Sequence, residues 1–186
     1  MPANTVIKET KTRMEKTLEA TRHDFSTVRT GKANPQLLDS VQVDMYGSKM
    51  PLNQVATVSA PEPAMITIQP WDKNALQPIE KAIQKSDLGL NPSNDGNMIR
   101  IVIPPLNEER RKEFVKLVKK MAEDGRIAVR NHRRDAIEVL RKAEKDKEIS
   151  EDDSHRLQKE VQELTDSYIE KVDEAVEAKE AEIMQV

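Results

Sequence analysis

Wound as a helix at about 100° per residue, Lys112, Lys116, Lys119, Arg126, Arg130 and Arg133 fall within roughly a third of a turn of one another. Only Glu123 interrupts that row, and residues 110–134 as a whole carry ten cations and three acids. Two chemistries suit such a row. It is either a solvated face that keeps a helix soluble or a grip on the phosphates of a polyanion. Arg133 and Arg134 follow Arg130 by three and four residues and offer planar forks that match phosphate oxygens as Lys cannot. Residues 106–147 sum to +5 and residues 148–186 to −9, within a chain total of −3. Segregating the signs is what a protein binding RNA or DNA on one side needs, and it sets that reading level with the solvated face. One Trp, two Tyr and two Phe leave little to stack on unpaired bases, so shape and backbone should be read rather than single-strand sequence.

Other chemistries lack their residues. Without Cys there are no disulfides, thiol nucleophiles or thiolate metal sites. His23, His132 and His155 are too scattered for a histidine metal site, so neither metal nor cofactor is expected. No Gly-rich phosphate loop occurs among only five glycines. Asp152-Asp153 is a carboxylate pair, but it lies in a first helical turn, where acids complement the dipole. His132, on an apolar stripe, reads as a hydrogen-bonded core residue rather than a base. Trp71, just before a helix cap, reads as a packing anchor rather than a stacking platform. No catalytic residue is expected, and hence no enzyme. No apolar run approaches about 18 residues, so no membrane span is expected. Glu9, Glu15, Glu19 and Asp24 argue against a secretory or organelle signal and for a cytoplasmic protein.

Charged residues number 13 of 75 between 31 and 105 but 50 of 111 elsewhere, a shift that marks a change of domain. Met14, Leu18, Thr21, Phe25 and Val28 predict a helix over residues 4–30, ended at Gly31 by a left-handed cap. A second helix is expected from the Asn107 cap to about Asp146. Its stripe is Phe114, Leu117, Val118, Met121, Ala128, Ala136, Val139 and Leu140, and the basic row lies opposite. Ser150 and Asp153 resemble a capping box opening a third, with Leu157, Val161, Leu164, Tyr168 and Val172 on one face. Between Gly31 and Pro105 the period changes to alternation. Strands are expected near Val41–Met45, Val55–Val58, Ala64–Ile68 and Met98–Ile103, with Gly47-Ser48 as a hairpin turn. One short helix carries Leu76, Ile79, Ala82 and Ile83, with Asn74 preferred to Asp72 as its cap and Gly89 as its end. The fold expected is α+β in two domains: an antiparallel three-helix bundle of 1–30 with 106–186, and a small domain of 31–105 inserted into it.

RTGKANP (29–35), PLNQVA (51–56), IEKAIQKSDLGLNP (79–92), PPLNEERRKEFVK (104–116), VRNHRRDA (129–136), KDKEISEDD (145–153) and KEAEIMQV (179–186) closely resemble bacterial ribosome recycling factor. The likeness runs from end to end. His132 and Gly125 depart from it, standing where a small apolar and a more helix-favouring residue are expected; Gly125 should soften its helix by up to about 1 kcal/mol relative to Ala. The resemblance implies a three-helix bundle with an inserted β/α/β domain, in an L of roughly transfer-RNA proportions. It implies a monomer that binds the post-termination 70S ribosome between the subunits through large-subunit ribosomal RNA. With elongation factor G, and GTP hydrolysis by that partner, the family splits the subunits for a new round. Carried onto this chain, Arg130 and Arg133 are the first candidates for ribosomal RNA contacts, followed by Arg29 and Arg110, with Arg126 and Lys119 from the same basic row. Arg110 reads equally as a structural pairing between helices. Gly31 and Pro104-Pro105 look like hinge elements.

Two rival readings remain at this stage. A helical adaptor or scaffold would use its acidic third helix to recruit a basic partner and should oligomerise. A nucleic-acid-processing enzyme would need a metal or nucleophile constellation that the chain lacks.

Overall fold

The computed structural model describes residues 2–185 and divides the chain into two compact units, Met1–Phe25 with Lys112–Val186 and Ser26–Arg111. These limits lie five or six residues outside the expected inserted domain of 31–105. The crossing segments belong to the second unit because its sheet holds them: Ala33 N–H donates to Pro63 O and Ile103 N–H to Ala64 O.

The first unit is built on α1 (Val6–Ser26), α3 (Glu108–Lys145) and α4 (Glu151–Met184), α2 lying in the second unit. Contacts fix their directions. Thr17 Oγ1 meets His132 Nε2 at 3.0 Å and Arg13 lies 3.8 Å from Asp135, so α1 and α3 run antiparallel. Ser154 Oγ donates to Glu144 and Arg126 pairs with Asp173, so α3 and α4 do likewise. Tyr168, 1% exposed, donates to Glu15 Oε2 at 2.6 Å. Val6, Ala136, Leu140 and Val161 close one end of the core. Caps explain the helix starts. Asn107 Oδ1 accepts from Arg110 N–H at 2.7 Å, and Ser150 Oγ accepts from Asp153 N–H at 3.0 Å. α1 ends at Ser26, not at Thr30. Thr27 and Val28 are β-branched, poor helix formers, and Val28 is buried outside the helix. Gly31, at φ +81°, therefore turns a connecting segment rather than capping α1.

The second unit packs α2 (Leu76–Lys85) with two antiparallel sheets. β1 (Gln42–Met45) and β2 (Ser48–Pro51) form a hairpin. β3 (Ala56–Glu62), β4 (Met65–Pro70), β5 (Pro92–Asn94) and β6 (Ile99–Val102) form a sheet in the order β3-β4-β6-β5. Val43, Ile66, Ile68, Ile79, Ile83, Ile99 and Ile101, all fully buried, make its core; the alternation in β1, β4 and β6 follows from the two-residue period. Three local expectations change. The hairpin turns on Tyr46-Gly47, at φ +53° and +80°, because Ser48 already pairs with Met45. Asp72, not Asn74, provides the side-chain cap: a 3-10 turn at Lys73–Ala75 precedes α2, and Asp72 Oδ1 accepts from Asn74 N–H at 3.0 Å. α2 stops at Lys85, with Ser86 rather than Gly89 closing it.

Candidate nucleic-acid interface

The core side of α3 decides where its cations point. Val118, Ala122, Gly125, Val129, Ala136, Leu140 and Ala143 are the buried positions. At about 100° per residue their centre lies roughly 70° from the Phe114–Met121–Ala128–Val139 line expected from hydrophobicity. Those four residues are only part-buried, and Leu117 is exposed. Small residues mark the close approach, and a hydrophobic pattern undercounts them. The basic row therefore flanks the core instead of lying opposite it.

Arg126 shows the consequence. Its guanidinium meets Asp173 Oδ1 at 2.6 Å and Glu123 Oε2 at 3.2 Å, and its side chain is only 22% exposed. Burial alone would lower its pKa; the hydrogen bonds it donates to Asp173 and Glu123 outweigh that and raise it. Arg126 joins α3 to α4, a correction to the expectation that the whole row faces outward. Arg130 is more open and shares Glu123, at 3.3 Å. Arg133 Nη1 donates to Gln162 Oε1 of α4 at 3.0 Å, while its Nε is buried without a partner. Arg134 and Arg141 are exposed, and with Arg133, Ile137 and Glu138 they line an open cavity of about 420 Å³. Lys119 is exposed and has no carboxylate within 4.0 Å among the described residues. Arg126 and Arg130 share one glutamate and Arg133 binds a neutral amide, which leaves this stretch of α3 a cationic surface suited to phosphate oxygens by geometry as well as sign.

Arg29 and Arg110 belong to the second unit. Burial lowers the pKa of Arg29, and the charge of Arg110 lowers it further. Arg29 Nε and Arg111 Nε are both buried without partners. Gly31 lies nearby, and a Cβ there would meet Leu106 N at 3.6 Å, ordinary contact, so its positive φ rather than crowding calls for glycine. Pro104 and Pro105 are exposed and precede the Asn107 cap.

The remaining singled-out residues separate cleanly. His132 is part-buried and bonded to Thr17; burial, then Arg13, lowers its pKa, and Asp135 opposes them. Trp71 is not a packing anchor, being exposed at the end of β4. Sequence reasoning missed Glu123, Gln162 and Asp173 as partners of the arginines, since two lie on another helix with no pattern to reveal them. No helix among the described residues is long and apolar enough to cross a membrane.

A family model described as "Ribosome recycling factor" matches residues 21–184. The ribosome-recycling factor of Halothermothrix orenii is 57% identical over 181 residues, covering 97% of this chain and 98% of its own. That of Bacillus licheniformis is 56% identical with the same coverage. One solved structure, the solution structure of the ribosome recycling factor, superposes with a TM-score of 0.79 at 43% identity, over 99% of this chain and 98% of that one. A second, at TM-score 0.70 and 49% identity over the whole of both chains, is described as models for the T. thermophilus ribosome recycling factor and the E. coli elongation factor G bound to the E. coli post-termination complex.

Proposed function

Because the chain belongs to the ribosome recycling factor family, we propose that it binds the post-termination ribosome between the subunits, through large-subunit ribosomal RNA. With elongation factor G, and GTP hydrolysis by that partner, it then splits the subunits for another round. The observation that carries the RNA-binding part is the separation of charge. α3 has 13 cations and 8 acids, whereas α4 has 4 cations and 12 acids, so one flank of the bundle attracts a polyanion and the other repels it.

The geometry supports a division of roles. Arg130 and Arg133 are the principal phosphate ligands, Arg133 being held in place by Gln162 before any RNA arrives. Lys119 adds charge along the same flank. Arg29 and Arg110 form a second grip on the RNA. Arg126 keeps α3 on α4 and contributes little direct contact. The protein acts as a monomer and binds no nucleotide; the hydrolysis belongs to elongation factor G. Gly31 and Pro104-Pro105 serve as hinge elements, and Gly31→Val, forced into a positive φ at about 1–2 kcal/mol, should slow recycling while sparing the helical signal.

Ribosome affinity at two salt concentrations tests the grip. Arg130→Ala and Arg133→Ala should each weaken binding by roughly ten- to a hundredfold, from a lost charged hydrogen bond of about 1.5–3 kcal/mol. Each should also flatten the salt dependence, because fewer counterions are released. Glu163→Ala, on the acidic helix, should not weaken binding. Wild-type affinity for Arg133→Ala would reduce the basic flank to a soluble face. A subunit-splitting assay with elongation factor G and GTP tests the rest.

A further inference from the structure

Trp71, the only Trp in the chain, is 67% exposed, and Tyr46 is 80% exposed. Both rings are nevertheless held. Tyr46 donates its hydroxyl proton to Asp72 Oδ2 at 2.8 Å, and Trp71 Nε1 donates to Thr57 Oγ1 at 3.0 Å. Asp72, next to Trp71 in the chain, is itself fixed through Asn74 N–H. Tyr46 adopts φ +53° in the β1–β2 turn, a conformation that Asn or Gly takes at less cost, so the turn alone does not account for an aromatic there. Beside Trp71 runs a groove of about 480 Å³ with apolar walls of Pro35, Pro51, Leu52 and Val58. Its lining includes one charged side chain, Asp39, and neither Lys nor Arg.

We propose that Tyr46, Trp71 and this groove dock a cationic segment of a partner protein, with an Arg or Lys side chain laid on the aromatic faces. The stem of that side chain would lie in the groove and its charge would face Asp39 and Asp72. Exposed rings attract cations through their negative faces, and preorganised rings do so without an ordering cost. The same carboxylates repel phosphates, which disfavours RNA although a base could stack on Trp71. They repel an acidic segment as well. This surface is separate in sequence and in sign from the basic flank of α3. It rests on the ribosome reading only for the particle on which the partner is sought.

Two measurements on the full chain test it. Trp71 is the only source of Trp emission, so its fluorescence reports from the site. Titration with an alternating Arg-Leu peptide should quench it saturably, whereas a Glu-Leu peptide of equal length and oligouridylate should not. Asp39→Asn combined with Asp72→Asn should weaken the Arg-Leu response roughly five- to tenfold. The same response to all three probes, or none to the basic one, overturns the proposal. In the second measurement the absence of Cys makes Asn53→Cys, an exposed groove residue, a unique attachment point for a benzophenone. The labelled protein is irradiated on ribosomes with elongation factor G. The expected product joins it to a basic protein and is lost in Trp71→Ala, while co-sedimentation with ribosomes persists. Crosslinks to RNA or to an acidic protein, or no product from ribosome-bound protein, overturn the proposal. Failure to co-sediment at all would instead count against the ribosome reading, and the fluorescence titration would still decide the docking site.

Discussion

A methyl group at Gly125 would lie 2.6 Å from Thr21 Oγ1 and 3.2 Å from its Cγ2. Thr21 cannot swing aside freely, because its hydroxyl donates to Thr17 O at 2.9 Å within α1. Propensity alone would make Gly125→Ala a gain of about 1 kcal/mol. Overpacking at a helix crossing costs about 1–3 kcal/mol and should win. We expect Gly125→Ala to lower the urea midpoint, and Thr21→Ala to recover most of the loss in the double variant. A stabilised single variant would show that the crossing yields. Tyr168 offers a second test. Burial, then the Glu15 hydrogen bond, pushes its pKa up to about 12. The folded state thus holds this proton more tightly than the unfolded one, whose group titrates near ~10. The contribution is complete below that pH and is lost as the pH rises toward about 12. In urea melts, Tyr168→Phe should lose about 1 kcal/mol at neutral pH and show a flatter alkaline decline.

Among elements, the starts of α3 and α4 were legible because their signals are local: two prolines and Asn107 before one, Ser150 before the other. Replacing Ser150 by Ala should cost about 1 kcal/mol, since Asp153 N–H then loses its acceptor; a urea midpoint unchanged from wild type would show that water replaces it fully. β2 and β5 were not legible. Ser48-Lys49-Met50-Pro51 and Pro92-Ser93-Asn94 have no alternating apolar face, and their neighbours across the hairpins define them as strands. The basic row on α3 was legible as a charge pattern, but its direction was not. Ala122, Gly125 and Ala143 set the core-facing line, and only contact with α1 and α4 reveals that. The same limit hid the capture of Arg126 by Asp173, 47 residues away.

Each unit of the whole molecule has its own apolar core, one of helix stripes and one of strand and α2 side chains. Separate cores permit separate opening. Ile66, fully buried at the centre of the β3-β4-β6-β5 sheet, can be shortened to test this. Ile66→Ala should cost about 2–5 kcal/mol in the second unit. Amides of β4 and β6 should then exchange faster with solvent hydrogen, while those of α4 keep their protection. Equal loss in α4 would mean that the molecule opens as one.

The order in which the chain is made gives the discontinuous first unit a further consequence. Residues 26–111 are contiguous, so the second unit is complete while most of α3 and all of α4 are still unmade. α1 emerges first, yet Val6 and its stripe find their cover only when Val161 and the rest of α4 have been added. At about 5–20 residues per second, that interval lasts on the order of 10–30 s. Throughout it α1 carries an uncovered apolar stripe, and for its later part the second unit is already complete.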